Sequence, residues 1–318
     1  MSSPMRSLNC GASSTHRILI APASFAHAGR PSRTPLRPTS SLIKPPFNVV
    51  ITGGTKGVGK ALASEFLAAG DSVALCARSA EAVDAIVEEL RSKGRVVGRA
   101  CDVARAADVE AFTSFAQQEL GRVDMWINNA GTNAYRFGAL EDQPPEDLEA
   151  ILTTNVLGAM LGCRAAMSVM AGQPSGGHIF LVDGAGADGG ATPRFAAYGA
   201  SKRALSQLGK SLNAELRGSP RRGRITVHTM SPGMVTTELL MAGADTRVAR
   251  FFINVLAETP ETVAANLVPR LRQVVEGSRG VLGSRPQYIR YLTKPKAYGQ
   301  ILMRLLAKQR KNKFVEEE

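Results

Sequence analysis

The sequence predicts an α/β fold, a single doubly wound parallel sheet with helices on both faces. From residue 47 onwards, short apolar runs of strand length alternate with longer segments of helical period. The first apolar run leads directly into a glycine-rich turn that a helix follows, which is the order of the first βα unit in such sheets. The length of 318 residues suits one large domain with a tail at each end.

The first βα unit is predicted from residues 47–70. Residues 47–52 form a buried parallel strand, and the apolar residues within 61–67 recur at helical spacing. The glycines between them permit positive φ and let the backbone approach a pyrophosphate closely. Free N–H groups and the positive dipole end at the helix N-terminus then favour phosphate binding. The phosphates of a dinucleotide are therefore predicted to lie against Thr52, Gly53, Lys56, Gly57, Val58 and Gly59.

The end of the second predicted strand bears on the choice of dinucleotide. Residues 72–78 end on Ala77-Arg78, without the acidic residue that commonly binds the ribose hydroxyls of NAD. Lys56 adds a second cation in the glycine turn. Two cations suit the additional 2′-phosphate of NADP(H), so NADPH is favoured as the cofactor, while NADH stays open.

The alternation of strands and helices continues through the middle of the chain. Its regular βα order predicts parallel strands joined by crossover helices. The further predicted elements are a helix over 80–93, a strand over 95–101, a helix over 106–120, a strand over 123–128 and a helix over 195–216.

A tyrosine and a lysine in the last of these helices are the candidate proton-transfer pair. Tyr198 and Lys202 are four residues apart, so that both side chains lie on one helix face. A tyrosine whose pKa is about 10 is a poor acid–base catalyst at neutral pH. We expect the ammonium of Lys202, with the charge of an oxidised nicotinamide, to lower the pKa of Tyr198. In a reduction, Tyr198 would protonate the developing alkoxide as hydride leaves the nicotinamide.

Four motifs together resemble the short-chain dehydrogenase/reductase family. They are Thr52-Gly53-x-x-x-Gly57-x-Gly59, Asn128-Asn129-Ala130-Gly131, Tyr198-x-x-x-Lys202 and Pro232-Gly233. The resemblance covers about residues 47–277 and implies a Rossmann-type domain that binds NAD(P)H.

The resemblance also implies roles for individual residues. Asp102 and Val103 should hold the adenine, and Asn129, Ala130 and Gly131 should line the cofactor cleft. Asn155 matches an asparagine that anchors a water relay to the catalytic lysine. The residues implied to contact the nicotinamide carboxamide are Pro232, Gly233, Val235 and Thr237.

The chain departs from the family at the serine that normally precedes the tyrosine. Residues 183–188 contain no hydroxyl side chain. We hypothesise that backbone N–H groups of this glycine-rich loop, or Thr192, orient the carbonyl while Tyr198 transfers the proton.

The small residues of the loop also suit a large, flat substrate. The apolar segments 239–241 and 251–256 lie where the family places its substrate lid, although ordinary packing on the core is the alternative.

A further set of segments resembles the plant and algal chlorophyll b reductases, in their shorter form without transmembrane helices. The segments are 178–180, 183–186, 192–200, 231–237, 251–258 and 288–293. The resemblance implies reduction of the C7 formyl group of chlorophyll b to 7-hydroxymethyl chlorophyll a, a step of chlorophyll catabolism and antenna turnover. It implies free or antenna-bound pigment as the substrate and a membrane-spanning paralogue as a partner. It also implies an oligomer, and peripheral attachment to the stromal side of the thylakoid in the chloroplast. The alternatives are another plastid carbonyl reductase of the same family, or a dinucleotide-binding scaffold for a catalytic paralogue.

Both ends of the chain are basic, whereas the middle is nearly neutral. Residues 1–47 carry six Lys or Arg and no acid, and residues 277–315 carry ten and no acid. Because the charge does not lie on the predicted core, nucleic-acid binding is not expected. Residues 1–46, rich in Ser, Thr and Arg, predict a chloroplast transit peptide or a disordered tail. Residues 278–318 predict a basic extension whose short amphipathic helix suits an anionic membrane surface.

The cysteines and histidines do not form a recognisable site. The four cysteines lack a CxxC pair and predict free thiols, and the four scattered histidines indicate neither a metal site nor a Ser-His-Asp triad. No uninterrupted apolar run reaches the roughly 18 residues needed to span a bilayer.

Overall fold

The computed structural model of the chain describes residues 43–219, 223–277 and 284–317. The predicted transit peptide therefore lies almost wholly outside the described residues. The strands are β1 (Asn48–Thr52), β2 (Ser72–Ala77), β3 (Val96–Ala100), β4 (Met125–Asn128), β5 (Gly177–Val182), β6 (Ile225–Ser231) and β7 (Tyr288–Arg290). They pair in parallel, in the order β3-β2-β1-β4-β5-β6-β7, which confirms the predicted parallel sheet.

Helices follow most of the strands, and several carry clear start signals. Ser79 caps the second helix by accepting a hydrogen bond from the backbone N–H of Ala82, and Pro145 opens the fourth. The helices are α1 (Gly57–Ala68), α2 (Ala80–Leu90), α3 (Ala106–Leu120), α4 (Pro145–Leu152), α5 (Gly158–Gly172), α6 (Ala196–Gly218), α7 (Glu238–Met241), α8 (Arg247–Leu256), α9 (Pro260–Glu276) and α10 (Lys294–Ala307). A π-helical turn, Thr153–Leu157, joins α4 to α5.

The sheet is covered on both faces, as the doubly wound prediction requires. One face packs against α1, α2 and α9 around Phe66, Leu267 and their neighbours. The other packs against α3, α5 and α6 around Phe112, Trp126 and Cys163. Because the inner strands are buried on both faces, they read as continuous apolar runs and not as alternating ones.

The strand order reverses beside β1, and this fixes where a ligand can bind. The chain runs outward from β1 to β2 and β3, then crosses back to β4 on the other side of β1. The connections after β1 and β4 therefore leave in opposite directions and open a crevice at the carboxyl edge of the sheet. The glycine turn after β1 and the loop after β4 both lie at this edge.

The sheet takes its last strand from beyond the predicted domain end at residue 277. In β7, Tyr288 and Arg290 pair with Thr229 and Ser231 of β6. A strand of only three residues gives a weak sequence signal, whereas the available edge of β6 supplies the hydrogen bonds that hold it. The range 278–318 is thus part strand and part helix, and its strand belongs to the sheet.

The C-terminal residues after α10 fold back onto α8. Asn254, fully buried in α8, donates to the carbonyl of Val315 at 2.7 Å and accepts from the backbone N–H of Phe314 at 2.7 Å. Arg310 and Lys313 pair with Glu258 at 2.5 and 2.8 Å, just beyond that helix. These contacts bind the C-terminal segment to the predicted substrate lid.

Among the described residues, one helical stretch, Pro145–Gly172, has the length and apolar composition that would allow it to cross a membrane. Its inner side contributes Ala159, Cys163 and Ala166 to the core, as a core helix of a soluble domain does. By that test alone the stretch is weak evidence of a membrane span.

The histidines and cysteines of the described chain are buried and pack in the core. His178 Nδ1 lies 3.0 Å from His228 Nε2, and burial lowers the pKa of His178 to about 4, so that both rings pack in the neutral form. Three cysteines in the described part of the chain are free and buried, and no cluster there could hold a metal ion.

Candidate active site

The glycine turn after β1 is hydrogen-bonded to the loop after β4. Thr52 Oγ1 accepts from the backbone N–H groups of Asn129 and Ala130, each at 3.1 Å. The Asn129 side-chain amide donates to the carbonyls of Thr52 and Gly53 at 3.0 and 2.9 Å. Two motifs 77 residues apart in sequence therefore form one rigid floor at the crevice.

The turn itself leaves room for a phosphate group. Gly53 and Gly57 have φ of +67° and +55°, where glycine is strongly favoured. A Cβ at Gly59, in the first turn of α1, would lie 2.1 Å from the Gly53 carbonyl oxygen. Larger residues would block the turn or distort it, so this cradle fits a dinucleotide pyrophosphate at the N-terminus of α1. Val58, also predicted to bind there, packs partly on the core.

The two predicted cations of the cofactor site differ in their surroundings. Lys56 pairs with Glu238 of α7 at 2.5 Å and lies over the ring of Tyr135, and the Glu238 hydrogen bond raises the pKa of Lys56. Arg78 is exposed immediately after β2. Lys56 thus joins the glycine turn to the lid, whereas Arg78 stands at the edge where an adenosine 2′-phosphate would lie.

The remaining predicted cofactor residues line the same edge of the sheet. Asp102 caps the turn after β3, accepting from the backbone N–H of Ala104 at 3.0 Å, and Val103 packs against Gly158. After β6, Gly233 has φ of +74°, which turns the chain past Pro232. Val235 forms a bridge with Glu258, and the Thr237 side chain reaches the glycine turn, where a Cβ at Gly57 would lie 3.0 Å from its methyl group.

Tyr198, Lys202 and Asn155 meet in one cluster, in which Lys202 and Asn155 are buried and Tyr198 is half-buried. The Lys202 ammonium lies 5.7 Å from the centre of the Tyr198 ring and donates to the Val182 carbonyl at 3.0 Å. Asn155, in the π-helical turn, binds both backbone groups of Thr132 at 2.8 Å. A Cβ at Gly131 would lie 3.4 Å from Lys202 Nζ and 3.3 Å from Asn155 Oδ1, so both polar groups converge on this glycine. The geometry suits proton transfer through the phenol.

The electrostatics of the pair differ from the prediction. Burial, followed by the charge of Asp183, raises the pKa of Tyr198 above its ordinary value, so the chain's own groups do not produce the expected lowering. Burial also lowers the pKa of Lys202 to about 8, while Asp183 opposes that shift. In the chain alone the phenol therefore stays protonated, as a proton donor must, although the raised pKa also makes it a weaker acid than free tyrosine.

Gly184, in the loop that lacks the expected serine, lies directly against the phenol of Tyr198. A Cβ at Gly184 would lie 2.3 Å from Tyr198 Oη, too close for any side chain. Thr192, the hydroxyl proposed as a substitute, packs instead against Gly199 of α6. The N–H groups of Ala187 and Gly189 bond within the glycine-rich loop, to Gly184 and Gly186. What orients the carbonyl therefore stays a prediction.

Sequence reasoning missed several contacts around the phenol. Phe195 lies between Phe137 and Tyr198, edge-to-face with the first ring at 5.4 Å between centres and tilted to the second at 6.3 Å. Arg194, with φ of +72°, pairs with Asp245 and so holds the start of α6 to the lid. Asp183 lies beside the pair and accepts from the Tyr288 hydroxyl of β7. The absence of a serine marked the loop as unusual, but no local pattern linked Asp183 to a strand 105 residues later.

Comparison with known proteins agrees with this geometry. Residues 48–247 match the family model described as short chain dehydrogenase. The chain is 52% identical over 277 residues to chlorophyll(ide) b reductase NOL, chloroplastic, of Arabidopsis thaliana, covering 86% of this chain and 78% of that protein. It is 45% identical over 269 residues to the probable chlorophyll(ide) b reductase NYC1, chloroplastic, of the same plant, covering 79% and 51%. A solved short chain dehydrogenase from Burkholderia cenocepacia in complex with NADP is 27% identical, with a TM-score of 0.63 over 77% of this chain and 95% of that one.

The close approach at Gly184 makes a direct prediction. Gly184→Ser should lower turnover about a hundredfold, because the new Cβ must push the Tyr198 phenol out of line by more than an ångström. Turnover is measured as NADPH-dependent reduction of chlorophyll b. Gly172→Ser, at an exposed glycine of α5 where an added Cβ would meet no atom within 4 Å, is the control and should leave turnover within twofold. An increase in turnover for Gly184→Ser would show that the site lacks a serine and has room for one.

Proposed function

Because the chain belongs to the short-chain dehydrogenase family of oxidoreductases, we propose that it reduces the C7 formyl group of chlorophyll b to 7-hydroxymethyl chlorophyll a with NADPH. The observation that carries the proposal is the Tyr198–Lys202 pair, a half-buried phenol beside a buried amine, next to a glycine cradle that fits a dinucleotide. The substrate assignment is supported by the similarity to chlorophyll(ide) b reductases over 86% of this chain.

The chain's own residues supply proton transfer and positioning. A bound reduced nicotinamide supplies the hydride for the carbonyl carbon. Tyr198 gives its phenolic proton to the carbonyl oxygen as negative charge develops there. Lys202 stabilises the phenolate that remains, and its ammonium is held in place by the Val182 carbonyl. Asn155 lies beside Lys202 at Gly131, where a water relay to the amine would restore the proton.

The lid has features that suit a tetrapyrrole. The apolar side chains of Val248 and Phe252 on α8 are exposed, at 66% and 39% of their surface. The lid is fastened near the phenol through the Arg194–Asp245 pair and through Gly243, which packs on the Phe137 ring that in turn contacts Phe195. The glycine-rich loop carries almost no side-chain bulk. A flat, apolar substrate fits these surroundings better than a small polar one.

The proposed cellular setting is the chloroplast, on the stromal side of the thylakoid. The outer face of α10 is apolar and exposed, with Tyr298, Leu302, Leu305 and Leu306 at 69, 53, 66 and 75% of their surface. Exposed lysines, Lys294 and Lys308, stand at its two ends. An apolar face with flanking cations suits an anionic lipid surface.

The basic residues of the extension do not all face outward, contrary to a simple reading of the sequence. Arg304 pairs with Glu317, and Arg310 and Lys313 pair with Glu258. Arg290 and Lys296 stack on Tyr288 and Tyr291. Attachment is therefore proposed to depend more on the apolar face than on the charge. A membrane-spanning paralogue as partner and an oligomeric state stay predictions from the resemblance.

The first test of the function is direct reduction of the pigment. Recombinant chain with chlorophyll b and NADPH should yield a more polar product with a chlorophyll-a-like absorption spectrum. Tyr198→Phe should lower the rate about a thousandfold while NADPH binding is retained, because only the proton donor is lost. Tyr298→Phe, the same change on the exposed face of α10, should leave the rate unaltered. Binding of NADPH by the unmodified chain without turnover would favour the scaffold alternative.

A second test separates the two nicotinamide cofactors. Arg78→Ala should weaken NADPH binding about tenfold or more and leave NADH binding unchanged, since a guanidinium bond to the 2′-phosphate exists only for NADPH. Binding is followed by quenching of protein fluorescence. Arg91→Ala, an exposed arginine beyond the end of α2, should change neither affinity. Equal losses for NADH and NADPH would mean that Arg78 does not read the 2′-phosphate.

A third test addresses attachment to the membrane. Removing residues 294–318 would also detach the lid from its Asn254 contacts, so point variants are the sharper choice. Leu302→Glu with Leu306→Glu should lower binding to vesicles of anionic plastid lipids about tenfold, because two exposed leucines lose their burial in the lipid.

The matched control places the same added charge elsewhere on the domain. Gln117→Glu with Gln118→Glu, on the exposed side of α3, should leave vesicle binding within twofold. Both double variants should still bind NADPH. An equal loss in the two double variants would assign attachment to net charge, and an unchanged partition of the leucine variant would refute the α10 surface.

A further inference from the structure

A carboxyl group lies beside the proton-transfer pair, in a position for which the reaction scheme has no use. Asp183 follows β5 directly and is 4% exposed. Its backbone neighbours both touch the pair. Lys202 donates to the Val182 carbonyl at 3.0 Å, and a Cβ at Gly184 would lie 2.3 Å from Tyr198 Oη. Asp183 is thus fixed between the two reacting groups.

The carboxyl group is itself held by the C-terminal part of the chain. The Tyr288 hydroxyl of β7 donates to Asp183 Oδ2. Arg290 lies over the Tyr288 ring, 3.7 Å from its centre, and fixes the orientation of the phenol. Asp183 Oδ1 is buried and has no hydrogen-bond partner among the described residues, which leaves its charge to act on the groups around it.

In the described part of the chain, the charged and titratable groups that act on Asp183 come from two elements. From α6 come Tyr198 and Lys202, and from β7 come Tyr288 and Arg290. The Ser231 hydroxyl of β6 also lies near it. Burial raises the pKa of Asp183, while Tyr288, Ser231, Lys202 and Arg290 all favour the ionised form. The arrangement is a buried carboxylate with two hydroxyl neighbours and two cationic neighbours at the active site.

We propose that the Asp183 carboxylate, fixed by the Tyr288 hydroxyl, is a positioning residue that keeps Lys202 charged and Tyr198 protonated, and so sets the upper pH limit of carbonyl reduction. The proposal rests on the reductase function proposed above. A negative charge beside the pair favours the protonated form of both groups. Both forms are the ones that reduction requires, since the phenol is the proton donor and the ammonium stabilises the phenolate left behind.

The sign of the effect follows from the two groups. Burial alone disfavours a charged Lys202, whose pKa is lowered to about 8, and Asp183 works against this lowering. Replacing Asp183 by a neutral isostere should therefore make Lys202 lose its proton at a lower pH. The charge of Asp183 also raises the pKa of Tyr198, so the phenol should ionise more readily once it is gone. Both changes move the alkaline limb of the reduction profile towards acid.

The test is the pH profile of kcat/KM for chlorophyll b reduction in Asp183→Asn and the unmodified chain. The alkaline limb should move by about one pH unit towards acid. Activity should therefore fall about tenfold at pH values above the limb and stay within twofold below it. Asp188→Asn, an exposed acid in the same loop, is the matched control and should leave the limb in place. A purely structural role would lower activity at all pH values, and that result or an unmoved limb overturns the proposal.

A second readout separates this proposal from the proposed function. NADPH affinity, measured across the same pH range without pigment, should weaken as Lys202 loses its charge, and its midpoint should move with Asp183→Asn. If the unmodified chain reduces no pigment but the midpoint moves, the function fails and the role of Asp183 stands. If pigment is reduced and neither midpoint moves, only the role of Asp183 fails.

A second variant covers the case in which Asp183→Asn does not fold or bind NADPH. Tyr288→Phe removes only the hydroxyl that fixes the carboxylate. A smaller shift of the limb in the same direction is expected, because a released carboxylate acts less strongly on the pair. An unmoved limb in folded Tyr288→Phe overturns the proposal as well.

Discussion

The site depends on a buried ammonium. Lys202 is 4% exposed, and placing a charged amine in such surroundings is unfavourable unless other groups compensate. The Val182 carbonyl accepts a hydrogen bond from the ammonium at 3.0 Å, and the negative charge of Asp183 also favours the charged form of Lys202. The remaining imbalance keeps the pKa of Lys202 at about 8, where the amine can exchange a proton near neutral pH. If neighbouring groups fully offset the cost of burying the charge, the pKa of Lys202 would be higher, and the amine would exchange its proton less readily near neutral pH.

The strand order determines where this ammonium meets a cofactor. The crevice opens only where β1 and β4 lie side by side, and the Thr52–Asn129 hydrogen bonds hold its floor rigid. Gly131, two residues after Asn129, is where the polar ends of Lys202 and Asn155 converge. The loop after β4 therefore joins the cofactor cradle to the proton-transfer cluster. Their relative position is fixed by the sheet and not by a hinge.

Local patterns in the sequence predicted most of this arrangement. The β1–turn–α1 unit and the Tyr198–Lys202 spacing depend on neighbours within a few residues, so their signal is complete in a short window. Three features were not predictable in this way. Lys56 pairs with Glu238, Asp183 accepts from Tyr288, and Asn254 binds residues 314–317. Each is a contact between distant segments without periodicity. The lowering of the Tyr198 pKa was predicted for Lys202 acting together with an oxidised nicotinamide; in the chain alone, burial opposes that lowering and raises the pKa, an effect that a count of nearby charges omits.

The C-terminal segment shows why a charge count over a tail is a poor guide to its role. The largely buried basic side chains of this segment are structural, since Arg304 pairs with Glu317 and Arg310 pairs with Glu258. Its outer face on α10 carries the leucines, which contribute nothing to that packing while they remain exposed. The inner groups bind the C-terminal segment to α8 through Asn254, whereas the outer face of α10 is exposed. Because the contacts with Asn254 and Glu258 are made by residues 310–317, beyond the end of α10, a change on the outer face leaves these lid contacts in place.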